Sequence, residues 1–281
     1  MARSTRAIGG RCPPTPGARA VSDDPLTNFI ARSLRAEVSD VRSEVVIKNR
    51  SVELERIRFR QEGEDRTVLV KRVPPDDSLE VQLLPFLARK TDRVPIVRSR
   101  GIPPPAVPAW PWLLTEELID APSACHGDPA AIVRAKAVVE RAVANDQPAL
   151  RALGARTLAP PTLVDRVAER ALIDRPIDAE ARSAADRLGE LPTVLCHGDL
   201  VCANARQTDR GVVLVEWRRA YLGCGLLDVA RLVADVAAFT GENERDDLFE
   251  RYGELIGMTV TSDLKRAARL VEKAARAVLP D

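Results

Sequence analysis

The chain has 281 residues, of which 45% are hydrophobic and 30% are charged, and it carries a formal net charge of +1. This composition is typical of a globular protein, and the balanced charge argues against a nucleic-acid partner or an anionic membrane surface. The sequence also lacks a run of about 18 apolar residues, the length needed to cross a membrane.

The cysteine pattern and the N-terminal residues bear on the compartment. The five cysteines are an odd number and include no Cys-x-x-Cys pair, which argues against a zinc knuckle and a secreted disulfide framework. Residues 1–22 are basic and contain Pro and Gly where a signal peptide needs an apolar core. We therefore expect residues 1–22 to form a disordered tail and the protein to be cytoplasmic. We also expect it to be a monomer or a weak dimer.

Residues 23–117 have the pattern of a small, mostly antiparallel sheet with one interposed helix. Asp24-Pro25 is typical of a helix N-terminus. Segments rich in β-branched and apolar residues then predict strands. These segments are residues 45–47, 52–59, 67–73, 94–102 and 110–114. Between the third and fourth segments, Asp77 and Glu80 have the spacing of a capping box that opens a helix.

Residues 118–281 are mainly helical in pattern. Apolar residues recur at helical spacing in several segments. These are residues 130–144, 163–171, 178–188, 227–239, 245–256 and 262–278. Short strands are predicted at residues 193–196 and 212–217. A sheet-rich part followed by a helix-rich part predicts an α+β protein with a boundary near residue 117.

The segment with the clearest chemistry lies between the two short strands. Residues 197–204 have the sequence His-Gly-Asp-Leu-Val-Cys-Ala-Asn, and Glu216 follows Asn204 by twelve positions. Phosphoryl transfer needs a carboxylate that orients the attacking hydroxyl, and oxygen ligands that hold Mg²⁺. Asp199, Asn204 and Glu216 supply these groups in the required order and spacing.

This pattern resembles the signature of the aminoglycoside phosphotransferase and choline kinase superfamily: His-Gly-Asp-x-x-x-x-Asn, then Ile-Asp-Trp, then Gly-Asp-x-x-x-Asp-Leu-Ala. The resemblance implies a bilobal protein-kinase-like fold, with residues 23–117 as the N-lobe and residues 118–281 as the C-lobe. It also implies transfer of the γ-phosphate of ATP or GTP to a hydroxyl of a small molecule. In this interpretation Asp199 is the catalytic base, and Asn204 and Glu216 are the Mg²⁺ ligands.

The same resemblance assigns nucleotide-binding roles to four N-lobe residues. Lys71 would contact the α- and β-phosphates and pair with Glu80. Alternatively, Lys71 is a solvent-facing strand residue and Glu80 only completes the capping box. Ser51 lies in the glycine-free turn between the first two strands, which either cradles phosphate through its amides or is an ordinary polar hairpin. Glu117 lies in the hinge, whose main chain would bind the base of the nucleotide.

A second copy of the same letters serves as an internal control. Residues 125–128 are also Cys-His-Gly-Asp, but Val133 stands where Asn is required. Asp128 is better interpreted as the N-cap of a helix. In the copy at residues 197–204, we expect His197 to hold the loop in place, and the resemblance implies that Asp228 ties the following helix to that loop.

Glu216 departs from the family pattern, which has Asp at this position. Its extra methylene moves the carboxylate by about 1.5 Å at a fixed backbone, and Mg²⁺ demands near-ideal octahedral geometry. Arg218 and Arg219 follow, and their guanidinium groups either compete with the cation or bind phosphate. The alternative to an enzyme is a nucleotide-binding pseudoenzyme with a regulatory or scaffolding role. A weaker alternative is a helical protein without a nucleotide site.

Overall fold

The computed structural model describes residues 24–102, 109–171, 179–240 and 245–276. The expected tail at residues 1–22 lies outside this part of the chain. Its strands are β1 (Ser39–Lys48), β2 (Glu53–Gln61), β3 (Glu64–Arg72), β4 (Val97–Gly101), β5 (Trp112–Glu116), β6 (Arg156–Thr157), β7 (Thr193–Cys196), β8 (Ala205–Thr208), β9 (Gly211–Leu214) and β10 (Tyr221–Cys224). Its α-helices are α1 (Pro25–Leu34), α2 (Leu79–Leu87), α3 (Pro129–Ala142), α4 (Gln147–Ala152), α5 (Pro160–Ala171), α6 (Ala179–Gly189), α7 (Gly225–Thr240), α8 (Asp247–Ile256) and α9 (Ser262–Arg276).

The first five strands form one antiparallel sheet in the order β1-β2-β3-β5-β4. A tight turn joins β2 to β3, and its central residues Glu62 and Gly63 have positive φ angles of 53° and 82°. Turns of this kind match the right-handed twist of the paired strands. The strands predicted in the N-lobe are confirmed. β1 extends well beyond the apolar residues 45–47. This extension was not visible in the sequence, because most of the other positions of β1 are polar and exposed.

Helix α1 covers one face of this sheet. Asp24 caps the helix by accepting hydrogen bonds from the backbone amides of Leu26 at 3.3 Å and Thr27 at 2.8 Å. Ile30 is fully buried in a small core that includes Phe59 of β2. The helix predicted from Asp24-Pro25 is therefore confirmed, and it fixes the outer layer of the N-lobe.

Helix α2 packs against β4 and against the turn that follows β9, so it bridges the two lobes. Its side chains Leu83 and Leu84 are buried in the main core of the protein. The capping box expected at its start is wrong. The helix begins at Leu79, its N-cap Ser78 makes no side-chain capping bond, and the buried Glu80 carboxylate binds partners on other elements.

The C-lobe is built from helices around one continuous core. α3 packs against α8, while α9 packs against α5, α6 and α7. The strand predicted at residues 193–196 is confirmed as β7, which pairs with β10. The strand predicted at residues 212–217 ends at Leu214, so Glu216 and Trp217 stand beyond it. β6, β8 and β10 were not predicted because they are short and, unlike β7 and β9, contain no three consecutive apolar residues.

These elements confirm the expected α+β arrangement of a small antiparallel sheet and a mainly helical lobe. None of the helices in the described ranges has both the length and the apolar character that a membrane crossing needs.

Candidate active site

The loop after β7 contains the His-Gly-Asp sequence, and its backbone is set by Gly198. This residue has a φ of 81°, and a Cβ atom added to it would collide with the carbonyl oxygen of Arg219. Only glycine fits both the left-handed conformation and the close approach of the neighbouring chain. The loop is therefore packed directly against the segment that follows Glu216.

Asp228 in the first turn of α7 fixes this loop from below. Its carboxylate accepts hydrogen bonds from the backbone amides of His197 at 2.7 Å and Gly198 at 3.0 Å. It also forms a buried ion pair with Lys136, at 3.2 Å from the Lys136 Nζ. Asp228 thus connects α7 to the loop in the way that the family pattern implied.

His197 is buried and holds the loop to the strand beside it. Its ring Nε2 lies 2.8 Å from the carbonyl oxygen of Val215, and its Nδ1 lies 3.3 Å from the backbone nitrogen of Asp199. Burial lowers the pKa of His197 despite the nearby carboxylate of Asp228. A neutral ring that donates from Nε2 and accepts at Nδ1 satisfies both contacts, so His197 positions Asp199.

Asp199 and Asn204 face each other across the loop. The Asn204 side-chain nitrogen Nδ2 donates to the Asp199 carbonyl oxygen at 2.9 Å and to its carboxylate oxygen Oδ2 at 3.3 Å. The other carboxylate oxygen, Oδ1, lies 3.3 Å from the guanidinium of Arg231. The Asp199 side chain remains 23% exposed. A substrate hydroxyl can therefore reach it.

Lys71, Glu80 and Glu216 meet in one cluster, although 145 residues separate the first from the last. The Lys71 Nζ lies 2.6 Å from Glu80 Oε2 and 2.7 Å from Glu216 Oε2. The other oxygen of Glu80 accepts a hydrogen bond from the backbone amide of Trp217 at 3.0 Å. Glu80 therefore ties α2, β3 and the segment after β9 together.

The charges in this cluster stabilise one another. Burial alone lowers the pKa of Lys71, but the carboxylates of Glu80 and Glu216 outweigh it, so the pKa is raised. Burial raises the pKa of Glu216, and the opposing charge of Lys71 outweighs it, so this pKa is lowered. Both groups are ionised at neutral pH, and Lys71 is fully engaged by two carboxylates.

The backbone of Glu216 has a φ of 66° and a ψ of 57°, in the left-handed region. A non-glycine residue there is held by its surroundings at a cost of order 1–3 kcal/mol, and such positions concentrate at functional sites. The hydrogen bond from Trp217 to Glu80 and the ion pair to Lys71 are the contacts that hold it.

The structure does not bring the other two predicted nucleotide residues to this cluster. Ser51 lies in an exposed turn, and its amide is bonded to the side chain of Asn49 at 2.8 Å. The amide of Val52 is bonded to the same Asn49 oxygen at 2.9 Å. The Glu117 carboxylate accepts a hydrogen bond from the amide of Ile119 at 2.7 Å and contacts the guanidinium of Arg56 at 3.4 Å.

Sequence reasoning missed a charged network under the loop. Lys136 is buried on α3, forms a close ion pair with Glu140, and contacts Asp228. The Tyr252 hydroxyl lies 2.9 Å from Glu140 Oε2. One signal was available, because Lys136 is one of only six lysines and shares a helix face with Ile132.

A disulfide between Cys125 and Cys202 also was not predicted. The first Cys-His-Gly-Asp copy is therefore joined to the second copy's loop, with 77 positions between the two cysteines. Asp128 in the first copy caps α3, as expected, by accepting from the Ala130 amide at 2.9 Å. The amide of Cys202 is held by Asp235 at 2.7 Å, so the loop is anchored at both ends.

Comparisons with known proteins give the family and the fold of the chain. The model of the phosphotransferase enzyme family matches residues 49–268. No curated protein sequence matches the chain.

Solved structures with the same fold include several antibiotic phosphotransferases. One is the aminoglycoside phosphotransferase APH(3'')-Id from Streptomyces rimosus, in complex with ADP and streptomycin. It has a TM-score of 0.55 and 20% identity, over 89% of this chain and 98% of that one. Another is the macrolide 2'-phosphotransferase MphH from Brachybacterium faecium, with a TM-score of 0.52 and 15% identity over 90% and 97% of the two chains. These likenesses confirm the expected bilobal kinase-like fold.

Proposed function

Because this chain belongs to the phosphotransferase enzyme family, we propose that it transfers the γ-phosphate of ATP or GTP to a hydroxyl group of a small-molecule acceptor. The observation that carries the proposal is the convergence of Lys71, Glu80 and Glu216, from three different elements, onto the edge of the Asp199 loop. A structural protein has no need to place a buried Lys71–Glu80 pair beside a partly exposed carboxylate.

Lys71 is the residue that we assign to the nucleotide phosphates. The Glu80 carboxylate lies 2.6 Å from the ammonium group of Lys71, which is buried on β3, and this contact orients the positive charge before a nucleotide binds. Backbone amides near Ser51 contribute less, because Asn49 already occupies two of them. Glu117 stays assigned to the hinge through its main chain. The ADP bound in the Streptomyces rimosus enzyme supports the use of an adenine nucleotide.

Asn204 and Glu216 form a donor set that suits Mg²⁺. The side-chain nitrogen Nδ2 of Asn204 donates to Asp199, so the side-chain oxygen Oδ1 of Asn204 is left for a cation. Glu216 contributes a carboxylate, and Mg²⁺ prefers such oxygen ligands together with water and phosphate oxygens. When bound, Mg²⁺ would neutralise charge on the transferred phosphoryl group. Glu216 must release Lys71 at least in part to take this role.

Asp199 is the proposed catalytic base. Its carboxylate orients the acceptor hydroxyl and takes the hydroxyl proton as the oxygen attacks the γ-phosphorus atom and the bond to the leaving diphosphate breaks. His197 and Asn204 hold the carboxylate in place through the contacts described above. Arg231 stabilises it in the absence of substrate.

The test is Mg²⁺-dependent release of ADP from ATP, with water as the slow acceptor, in wild type and Asp199→Ala. Removal of a catalytic base costs about 10²–10⁴-fold in rate, so we expect at least a 10²-fold loss with nucleotide affinity unchanged. Asp186→Ala, which removes an exposed carboxylate on α6, is the matched control. Equal rates for wild type and Asp199→Ala would contradict the assignment.

A nucleotide-binding pseudoenzyme is the second candidate. The ion pair between Glu216 and Lys71 favours it, because the same contact occupies a metal ligand and the phosphate lysine. In that case Mg²⁺-nucleotide raises the melting temperature of the protein, and neither wild type nor Glu216→Asp releases ADP above background.

Further proposals concern the protein as a whole. We propose that the lobes meet at residues 117 and 118, and that the protein acts in the cytoplasm as a monomer or weak dimer. The boundary is supported by the end of the sheet at Glu116. Size-exclusion chromatography with light scattering tests the assembly state.

A further inference from the structure

A cavity of about 720 Å³ lies between the lobes, and Asp199 is part of its lining. Its N-lobe wall is formed by Ser51 of the turn between β1 and β2, by residues 76–79, and by Gln82 of α2. The rest of the lining comes from C-lobe elements, including Gly198 of the loop and Leu227 of α7. A hydroxyl acceptor that reaches Asp199 must enter this space, so the lining determines which acceptors bind.

The C-lobe part of the cavity is rich in arginine. The arginines that line it are Arg156, Arg218, Arg219, Arg231 and Arg276. The carboxylates that line it are Asp76, Asp77, Asp199, Asp228 and Glu272. Equal numbers of arginines and carboxylates do not make the cavity neutral toward a ligand, because some of these side chains already form ion pairs or hydrogen bonds within the protein.

Two of the carboxylates, Asp228 and Glu272, are already engaged by other groups of the protein and so do not attract a ligand. Asp228 is buried and is engaged by Lys136 and by two backbone amides. Glu272 is gripped by the guanidinium of Arg276 through contacts of 2.6 and 2.7 Å. Asp76 and Asp77 lie on the N-lobe wall of the cavity, just before α2.

Three of the lining arginines, Arg156, Arg218 and Arg231, remain available to a ligand. Arg231 contacts Asp199 through Nη2 at 3.3 Å and Nε at 3.4 Å, and its side chain is 26% exposed. Arg218, two residues after Glu216, forms no ion pair within the described part of the chain. Arg156 also forms none there. A cationic acceptor placed at Asp199 would therefore meet the like charge of the Arg231 guanidinium.

We propose, on the basis of the phosphotransfer function above, that the acceptor is a hydroxylated anion whose carboxylate or phosphate group binds Arg231 and Arg218. Guanidinium groups bind both kinds of anion through paired N–H donors. The anion takes Arg231 from Asp199 as the acceptor binds, which leaves the carboxylate to the hydroxyl group. Selection of an anion distinguishes this site from one built for a polycationic acceptor.

The experiment uses the full chain saturated with Mg²⁺ and AMP-PNP, so that a γ-phosphate already fills the nucleotide site. Potassium phosphate and choline chloride are titrated at equal ionic strength, and calorimetry and melting temperature report binding. We expect phosphate to bind and choline not to bind. The dissociation constant for phosphate should rise about 10-fold in Arg231→Gln and Arg218→Gln. Arg231→Lys should keep part of the affinity.

Arg251→Gln is the matched control, because Arg251 is exposed on α8 and pairs with Glu254. Binding of choline but not phosphate, or phosphate affinity that is equal in the Arg231 and Arg251 variants, overturns the proposal. So does phosphate binding that occurs without AMP-PNP and disappears with it, since the anion then occupies the nucleotide site. Failure of AMP-PNP to bind counts against the phosphotransfer function instead. The phosphate titrations of the two arginine variants then still decide whether this anion site exists.

Discussion

Replacement of Glu216 by Asp tests whether the carboxylate restrains Lys71. The Glu216 Oε2 lies 2.7 Å from the Lys71 Nζ, and the substitution withdraws the carboxylate by about 1.5 Å. At an effective dielectric constant of about 20, the attraction falls from about 6 to about 4 kcal/mol. Because the Glu216 side chain is 40% exposed, solvent screening reduces this difference to about 1 kcal/mol.

Lys71, still paired with Glu80, is then more readily engaged by phosphate, so the affinity for Mg²⁺-ATP should rise about fivefold. The apo protein should lose about 1 kcal/mol of stability, which corresponds to a melting temperature lower by about 2 °C. Calorimetric titration with Mg²⁺-ATP at pH 7 measures the first effect. At this pH the Glu216 carboxylate is ionised, because its pKa lies below the ordinary value of 4.5.

Two control variants separate this effect from a general change in charge. Glu216→Gln also frees Lys71 but weakens the metal site, so its affinity for ATP should rise without Mg²⁺ and gain little with it. Glu250→Asp withdraws the carboxylate from the remote pair that Glu250 makes with Lys265 at 2.8 Å, and it should leave nucleotide affinity unchanged. An affinity of Glu216→Asp for Mg²⁺-ATP that is equal to or weaker than that of wild type would refute the reasoning.

Three further predictions concern the loop. Gly198→Ala should lower the free energy of unfolding in urea by more than about 3 kcal/mol, because backbone strain adds to a steric collision. Gly257→Ala, at a φ of 72° with open space around it, should lower it by about 1–2 kcal/mol. Equal losses of stability in the two variants would contradict the collision at Gly198. The lowered pKa of His197 means that the unfolded state binds its proton first, so stability should fall as pH drops below 6.5. His197→Gln should remove this part of the pH dependence, and an unchanged slope would count against it. Reduction of the Cys125–Cys202 disulfide should cost roughly 4 kcal/mol by chain entropy, and Cys125→Ser should abolish the effect of reductant.

The sequence predicted those parts of the fold that depend on local pattern. Strands of the sheet carry alternating or β-branched residues, and helix α1 carries an Asp-Pro start, so each is visible within about ten residues. The link between Lys71 and Glu80 came from a resemblance, and the structure brings the two within 2.6 Å. Their role toward a nucleotide stays a prediction.

Contacts between distant parts of the chain could not be predicted in the same way. The carboxylate of Glu80 has the spacing of a capping box, but tertiary packing places it against Lys71 and the amide of Trp217, which it binds instead. The pairing of Cys125 with Cys202 depends on a Cα separation of 5.5 Å that no spacing in the sequence implies.

The two proposed substrates would each replace a carboxylate that pairs with a cation in the substrate-free protein. Lys71 is neutralised in part by Glu216, and Arg231 in part by Asp199, so each of these two cations holds a carboxylate that the reaction needs elsewhere. Exchange of one anion for another costs far less than desolvation of an unpaired charge. A nucleotide phosphate can replace Glu216 at Lys71, and an anionic acceptor can replace Asp199 at Arg231. Under both proposals, binding of the two substrates therefore releases the metal ligand and the base.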